Sequence, residues 1–371
     1  MKVLYDHQIY AMQKFGGINR YFDEIMKTQK KGFQAGRIDP AFFLREPVKP
    51  RMDLYSRGSR FLKRKIGVPE KSPAVEVFPS QAAELFSRND FDLFHPTYYD
   101  PYFLSYTRKP FVLTVYDMIH EIFKEYFLGN DPTSHNKLSL CRKASQIIAI
   151  SHKTKEDLVT IFKIPEEKVH AIPLASAFDQ VVPRHPGNME GVERYILFTG
   201  NRWVYKNFYF PVLALTEILK DDQQLKFVCT GPPFEPWEMQ FFKDQGIDQQ
   251  MHHTYLHNDE ELSWVYRHAS LFIFPSLYEG FGFPLLEAFA CDCPVISSNG
   301  GSLPEVAGDA ALYFEPRNFS QIQETARAAL YDPALRAGLV HKGRERFKQF
   351  SWDRCREETL KIYQKALTGT G

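Results

Sequence analysis

Two carboxylates, Glu279 and Glu287, flank a glycine turn in the second half of the chain, in the segment FPSLYEGFGFPLLEAF (Phe274–Phe289). Gly280 and Gly282 permit tight backbone conformations and leave no side chain in the way of an approaching ligand. Pro284 suits the first helical position, where its missing N–H costs nothing, so a helix over Pro284–Ala290 is expected. A helix starting there aims its N–H groups and its positive end at an anion, and a diphosphate is a natural guest. A carboxylate can accept both hydroxyls of a vicinal diol. One glutamate could therefore hold a nucleotide ribose and the other a sugar hydroxyl. Alone, Glu287 in a first helical turn would simply complement the helix dipole, and two glycines would make an ordinary turn.

Upstream, TGNRWVYKNF (Thr199–Phe208) places Arg202 and Lys206 four residues apart, with Asn207 as an N-cap candidate for the next helix. Two cations beside a helix start can neutralise a leaving diphosphate; a solvated surface pair is the alternative. In the first half, Gly16 and Gly17 precede the stripe Ile18, Tyr21, Phe22, Ile25 and Met26. That spacing is the core face of a helix. The two glycines and the off-stripe Arg20 are then placed to meet a distal phosphate or an acceptor. Pro110–Glu121 reads as a strand ending in Asp117 and His120, and ligands collect beyond such strand ends in open α/β sheets. His95 and Tyr98 mark another strand end on the acceptor side. Asp90-Phe91-Asp92 is formally D-x-D but matches by chance. His252, His253 and His257 lack a carboxylate or Cys partner at helical spacing and read as a surface loop. No metal set is expected.

These residues need a frame. Short apolar runs alternate with amphipathic stretches along nearly the whole chain. The strand candidates are Lys2–Tyr5, Leu93–His95, Phe111–Tyr116, Gln146–Ile150, Tyr195–Phe198, Lys226–Cys229, Leu271–Phe274 and Pro294–Ser297. Buried strands alternating with helices indicate parallel α/β sheets covered on both faces. Ile172–Arg194 carries Pro173, Pro183, Pro186 and Gly187 with little periodicity and reads as a linker. The expected domains are 1–185 and 186–350, followed by 351–371. The length of 371 residues accommodates two domains. There are 46 Lys and Arg against 45 Asp and Glu, so a protein-wide field for nucleic acid is excluded. The chain shows no apolar run of transmembrane length, and its start, MKVLYDHQIY, lacks a signal region. The five cysteines form no C-x-x-C pair and read as reduced, buried thiols. A cytoplasmic location is expected. Arg57–Lys65 (RGSRFLKRK) is either a solvated basic face or, with Phe61 and Leu62 among its charges, a contact with anionic lipid at the inner face of the plasma membrane. No G-x-G-x-x-G follows the first strand, which speaks against a nicotinamide dehydrogenase.

The segment Glu260–Pro316 closely resembles the retaining nucleotide-sugar glycosyltransferases of family four, including their E-x7-E motif, met here by Glu279 and Glu287. FGGINRYFDEI (Phe15–Ile25) resembles the family's N-terminal glycine loop and helix. AISHKTKEDL (Ala149–Leu158) resembles its Ser-x-x-(Ser/Thr)-Lys segment, and RWVYKN resembles the Arg and Lys pair that contacts donor phosphates. The resemblance implies a GT-B architecture, two Rossmann-like domains with parallel sheets facing across a cleft. The second domain would hold the nucleotide sugar and the first the acceptor, with a C-terminal helix, Trp352–Ala366 here, crossing back to the first domain. It implies a donor set of Gly17, Arg202, Lys206, Ser276, Tyr278, Glu279, Gly280, Phe281, Gly282, Phe283 and Glu287. Arg202, Lys206, Glu279, Asp117 and His120 would serve catalysis, and Gly16, Gly17, Arg20, His95 and Tyr98 the acceptor side. The family often has His where Tyr116 stands, which leaves Asp117 or His120 as substitutes.

Retention of configuration and metal independence are further implications, through a front-face mechanism in which the leaving phosphate is the base. The GGI-R-Y-F opening and the R-x3-KN segment resemble bacterial surface-polysaccharide mannosyltransferases. GDP-mannose is accordingly the first-choice donor, with UDP- or dTDP-sugars behind it, and a growing lipid-linked glycan is the expected acceptor. A sugar-nucleotide epimerase or phosphorylase of the same fold, or a catalytically silent sugar-nucleotide scaffold, are the rival readings.

Overall fold

Strands built from runs such as YILF and LFIF have every residue buried, as expected when helices cover both sheet faces. The computed structural model describes residues 1–13, 16–38, 83, 84, 86–127, 129 and 131–369. The basic segment Arg57–Lys65 lies outside the described residues, as does Phe15 of the N-terminal glycine motif. The chain forms two units, Met1–Leu174 joined by the C-terminal residues from Trp352, and Ala175–Ser351. This division precedes the expected boundary at 185. Phe178 is buried, its ring edge-on to Tyr266 at 6.1 Å, and Arg184 N–H donates to Glu260 O at 3.0 Å. The proline-rich stretch is thus partly structure of the second unit.

In the first unit the strands are β1 (Lys2–Tyr5), β2 (Gln34–Arg37), β3 (Leu93–His95), β4 (Val112–Val115), β5 (Gln146–Ala149) and β6 (Val169–Ala171). They pair in parallel as β2-β1-β3 and β4-β5-β6, and a parallel bridge between Phe94 and Phe111 joins the two sets. Helix Gly17–Met26 buries Tyr21, Phe22 and Ile25, the stripe its spacing predicts. The C-terminal helix Trp352–Thr368 buries Trp352, Cys355, Thr359, Tyr363 and Ala366 at steps of three or four residues. It packs on helix Gly17–Met26 and on β3, β4 and β5. Arg356 reaches Glu24 at 3.0 Å, and the Tyr363 and Tyr5 hydroxyls meet at 2.9 Å.

The second unit contains β7 (Tyr195–Phe198), β8 (Lys226–Cys229), β9 (Met251–His253), β10 (Leu271–Phe274), β11 (Val295–Ser298) and β12 (Ala311–Phe314). All pair in parallel, in the order β12-β11-β10-β7-β8-β9. This is the Rossmann order, and the direction of winding reverses between β7 and β10. Ile196, Phe227, Ile273 and Ile296 from the sheet pack with Val212, Leu215 and Ile218 of helix Tyr209–Asp221 and with Ile322 of helix Phe319–Tyr331. Ligands of open α/β sheets settle outside the strand ends at such a reversal. Both sequence motifs of this unit leave the sheet there, TGNRWVYKNF after β7 and PSLYEGFGF after β10.

Candidate functional site

The turn after β10 is built around Glu279. Its Oε1 accepts from Lys206 Nζ at 2.6 Å and from Ser276 Oγ at 2.5 Å. Lys206 belongs to the loop after β7, so the ion pair spans the point where the sheet order reverses. A backbone bond from Leu277 N–H to Tyr205 O, 2.7 Å, ties the two loops together. Both side chains keep slight exposure, 18% for Lys206 and 11% for Glu279. The ammonium offers three donors, so it can bond Glu279 and still reach phosphate oxygens.

The glycine turn leads into helix Phe283–Ala290, with Gly282 as its N-cap at φ +108°. That conformation favours glycine, and a Cβ there would also come within 2.9 Å of Leu303. Behind the turn lies Asn299–Ser302. Ser302 Oγ meets the carbonyls of Glu279 and Phe281 at 3.0 and 2.8 Å, and a Cβ on Gly301 would lie 2.4 Å from Glu279 O. Ser298 Oγ donates to Ser276 O. Tyr278 and Phe281 are buried, as are Ser276 and Gly280, while Phe283 is half-buried.

Glu287 stands in the second turn of this helix, 8% exposed, and its Oε2 accepts from Tyr266 Oη at 3.2 Å. Tyr266 is fully buried on helix Asp259–His268, and its hydroxyl also meets Thr199 Oγ1 at 3.2 Å. Arg202, on the same loop as Lys206, has a carboxylate partner of its own. Its guanidinium makes a bidentate pair with Glu238 (Nε to Oε1 2.6 Å, Nη2 to Oε2 2.8 Å) and donates to Pro232 O and Pro233 O, both at 2.8 Å. Tyr209 Oη donates to the same Glu238 oxygen at 2.6 Å.

In the first unit, the expected acceptor-side and catalytic residues differ in burial. His95 is fully buried; its Nδ1 lies 2.7 Å from Tyr363 Oη and its Nε2 2.9 Å from Thr114 Oγ1. Burial pushes its pKa down to about 3, so it is a neutral core imidazole. Tyr98 is half-buried, its ring stacked near Tyr116 at 6.4 Å. Tyr116 Oη donates to Thr97 O at 2.9 Å. Asp117 is half-buried; its Oδ1 accepts from Ile119 N–H at 2.9 Å. His120 stacks on Phe127 at 4.0 Å, with Nε2 4.0 Å from Asp131 Oδ2, and burial lowers its pKa. Gly16 is exposed as the N-cap of helix Gly17–Met26, and Arg20 is half-buried on it.

Two family models cover most of the chain, "Glycosyltransferase Family 4" over residues 15–175 and "Glycosyl transferases group 1" over 184–346. This chain is a family-four-type glycosyltransferase. It is 29% identical to the O-antigen chain mannosyltransferase B of Escherichia coli over 60% of this chain and 61% of that protein. It is 28% identical to an MMP alpha-(1->4)-mannosyltransferase of Mycolicibacterium hassiacum, over 62% and 56%. The matches thus span less than two thirds of those relatives. Sucrose-phosphate synthase from Thermosynechococcus elongatus superposes over 100% of both chains with a TM-score of 0.72 at 16% identity. Anabaena HepE, solved in complex with UDP and glucose, covers 98% of this chain and 99% of its own, with a TM-score of 0.71 at 15% identity. The fold class is GT-B.

Several expectations for this glycosyltransferase change. Glu287 is not in the first helical turn, so dipole complementation does not explain it. Asn207 is not the N-cap of the next helix, Tyr209–Asp221, which Phe208 precedes; it closes the short turn Val204–Lys206 from its C-terminal end. It adopts φ +53° and its Nδ2 donates to Pro275 O and Pro316 O, at 3.1 and 2.7 Å, pinning the Lys206 loop to the ends of β10 and β12. The helix after the glycine turn begins at Phe283, one residue before Pro284. His95 cannot reach an acceptor because it is sealed in the first unit's core. His252 and His253 lie in strand β9 rather than a loop, each ring bonded to a backbone carbonyl, Asn188 O and Gly231 O. Asp90 and Asp92 hold Lys2 through its ammonium and its N–H, at 2.5 and 2.7 Å. Sequence reasoning missed Ser302, Gly301, Tyr266 and Glu238. The Gly300-Gly301-Ser302 run after β11 was the one local signal for a tight backbone turn.

Proposed function

We propose that this glycosyltransferase moves a sugar, mannose, from a nucleoside diphosphate, GDP, to a hydroxyl of a growing lipid-linked surface glycan, with retention and without a metal. The Lys206–Glu279 pair at the reversal of the second unit's sheet carries this reading. Lys206 supplies positive charge where a leaving diphosphate gains negative charge, and the head of helix Phe283–Ala290 adds its dipole. Among the described residues the side chain of Glu279 takes its hydrogen bonds on Oε1, which leaves Oε2 to accept a sugar hydroxyl. Glu287 accepts the ribose diol. In the reaction the sugar C1–O bond to the diphosphate breaks. The acceptor oxygen bonds C1 on the same face, and its proton passes to the departing phosphate oxygen. Asp117, after β4, or His120, on the short helix Ile119–Ile122, serves catalysis in this reading, with Gly16, Gly17, Arg20 and Tyr98 on the acceptor side.

The mannose assignment is supported by the names of the two relatives above. A chain peripheral to the cytoplasmic membrane face fits a lipid-linked acceptor; among the described residues no helix is long and apolar enough to cross a membrane.

The test is incubation of the purified chain with GDP-, UDP-, dTDP- and ADP-sugars, with and without lipid-linked glycan extracts and with EDTA. Release of GDP from GDP-mannose only when acceptor is present, with an α-linked product, is the expected result. Clean inversion overturns the retaining mechanism. Turnover without an acceptor favours an epimerase or phosphorylase, and no turnover of any donor favours a silent binder.

A further inference from the structure

We propose that Tyr266 is a positioning residue that fixes the Glu287 carboxylate for the donor's ribose, a proposal that rests on the ribose role of Glu287 given above. Tyr266 leaves helix Asp259–His268 with its side chain fully buried. Its ring is edge-on to Phe272 at 5.3 Å and to Phe178 at 6.1 Å. Apolar packing thus fixes the ring before any polar contact is counted.

The direction of each hydrogen bond follows from chemistry. A carboxylate only accepts, and a phenol has one proton. Tyr266 must therefore donate to Glu287 Oε2 at 3.2 Å, and Thr199 must donate to Tyr266 at 3.2 Å. The result is a polarised chain from the end of β7, through the helix before β10, to the helix after it. It holds one oxygen of Glu287 in a defined direction and presents the carboxylate to a diol. Burial and the neighbouring Glu287 charge both hold the Tyr266 phenol protonated, with its pKa well above the usual value. Its role is therefore donation at every working pH.

Tyr266→Phe removes the donor and keeps the ring, so packing and the route of the chain are retained. The readout is the ratio of dissociation constants for a 2′,3′-dideoxynucleoside diphosphate and its ribo counterpart, measured by calorimetry with GDP, UDP, ADP and CDP pairs. For the base that binds, the native chain should prefer the ribo form by roughly tenfold or more, the worth of hydrogen bonds to a charged group. In Tyr266→Phe the ratio should fall toward one while the melting temperature moves by only a few degrees. A merely structural tyrosine would weaken both nucleotides together and leave the ratio intact, and that result overturns the proposal. If the native chain shows no ribose preference, the ribose role of Glu287 falls and this proposal with it. Should Tyr266→Phe fail to fold, Thr199→Val is read in the same way: a lowered ratio supports the relay and an unchanged one overturns it.

Discussion

Two lysine–glutamate pairs sit beyond parallel strand ends in this glycosyltransferase, and their surroundings differ. In the first unit Lys137 Nζ meets Glu121 Oε2 at 2.8 Å, with side chains 0% and 1% exposed. Lys137 also donates to Asp117 O at 2.9 Å, and its ammonium lies 5.2 Å from the Tyr99 ring centroid. In the second unit Lys206 meets Glu279 at 2.6 Å with 18% and 11% exposure. The distances are alike, so burial makes the difference. A sealed pair is locked by the cost of leaving one charge alone. A pair at a partly open strand end keeps donors that a ligand can use. Identical residue types thus make a sealed brace in one unit and a candidate site in the other.

Removing the lysine from each pair puts that difference to its hardest test. Lys137→Met leaves Glu121 buried without its cation, beside an Oε1 that already has no hydrogen-bond partner among the described residues. We expect about 3–5 kcal/mol of lost stability in urea unfolding. Adding Glu121→Gln should restore most of it. A loss near that of a surface pair would mean the pair is hydrated and the contrast false.

Lys206→Met is the counterpart. Its stability cost should be about 1–3 kcal/mol, below that of the sealed pair, because both side chains keep a contact with water. Turnover should fall on the order of 10²-fold, the usual effect of removing one group that stabilises developing charge. A variant that loses stability but keeps its rate would move Lys206 into the same class as Lys137.

Acidification separates the two units in a gentler way. The first unit buries His95 and His7, whose pKa values burial pushes down to about 3 and about 4. Unfolded, both titrate near 6.5. As pH falls below about 6.5 the unfolded chain gains protons that the folded chain refuses until about pH 4 and then pH 3, so stability falls across that window. Urea midpoints at pH 7 and pH 4 should show the decline. His95→Gln should make it shallower, at a cost of about 1–3 kcal/mol at pH 7 for the disturbed bonds to Thr114 and Tyr363. A slope unchanged by His95→Gln would place the titrating groups elsewhere.

Fully buried strands were legible from short apolar runs, unbroken in YILF and LFIF and interrupted by one or two polar residues in LFH, VLTV, QIIA and VISS. The strands that escaped are short edges: β2 is QAGR, β6 is VHA and β9 is MHH, which carry little apolar signal at any period. β12 escaped as well, its two middle residues half-buried and its sequence read only as part of the family segment. The site was legible where its residues are local. Glu279, the glycine turn and Lys206 each stand in a compact motif after a strand. Partners distant in the chain were not: Arg202 finds Glu238, Glu279 leans on Ser302, and Glu287 takes its donor from Tyr266 on the preceding helix. His95 was misread for the same reason, since its strand-end position was visible but the helix that seals it, carrying Tyr363, comes from the far end of the chain.

The smallest expected difference, about 1 kcal/mol between two variants, concerns Asn207, which holds the Lys206 loop through its side-chain amide. Its φ of +53° is tolerated by Asn and freely adopted by Gly. Asn207→Gly keeps the conformation but leaves Pro275 O and Pro316 O without its amide, a loss of about 1 kcal/mol per bond. Asn207→Ala loses the same bonds and adds left-handed strain of about 1 kcal/mol. The alanine variant should therefore unfold more easily than the glycine variant. Both should slow turnover less than Lys206→Met, since the ammonium is loosened rather than removed. Equal stability of the two variants would mean that the loop relaxes out of the left-handed conformation, and that Lys206 is held by Glu279 instead of by its backbone.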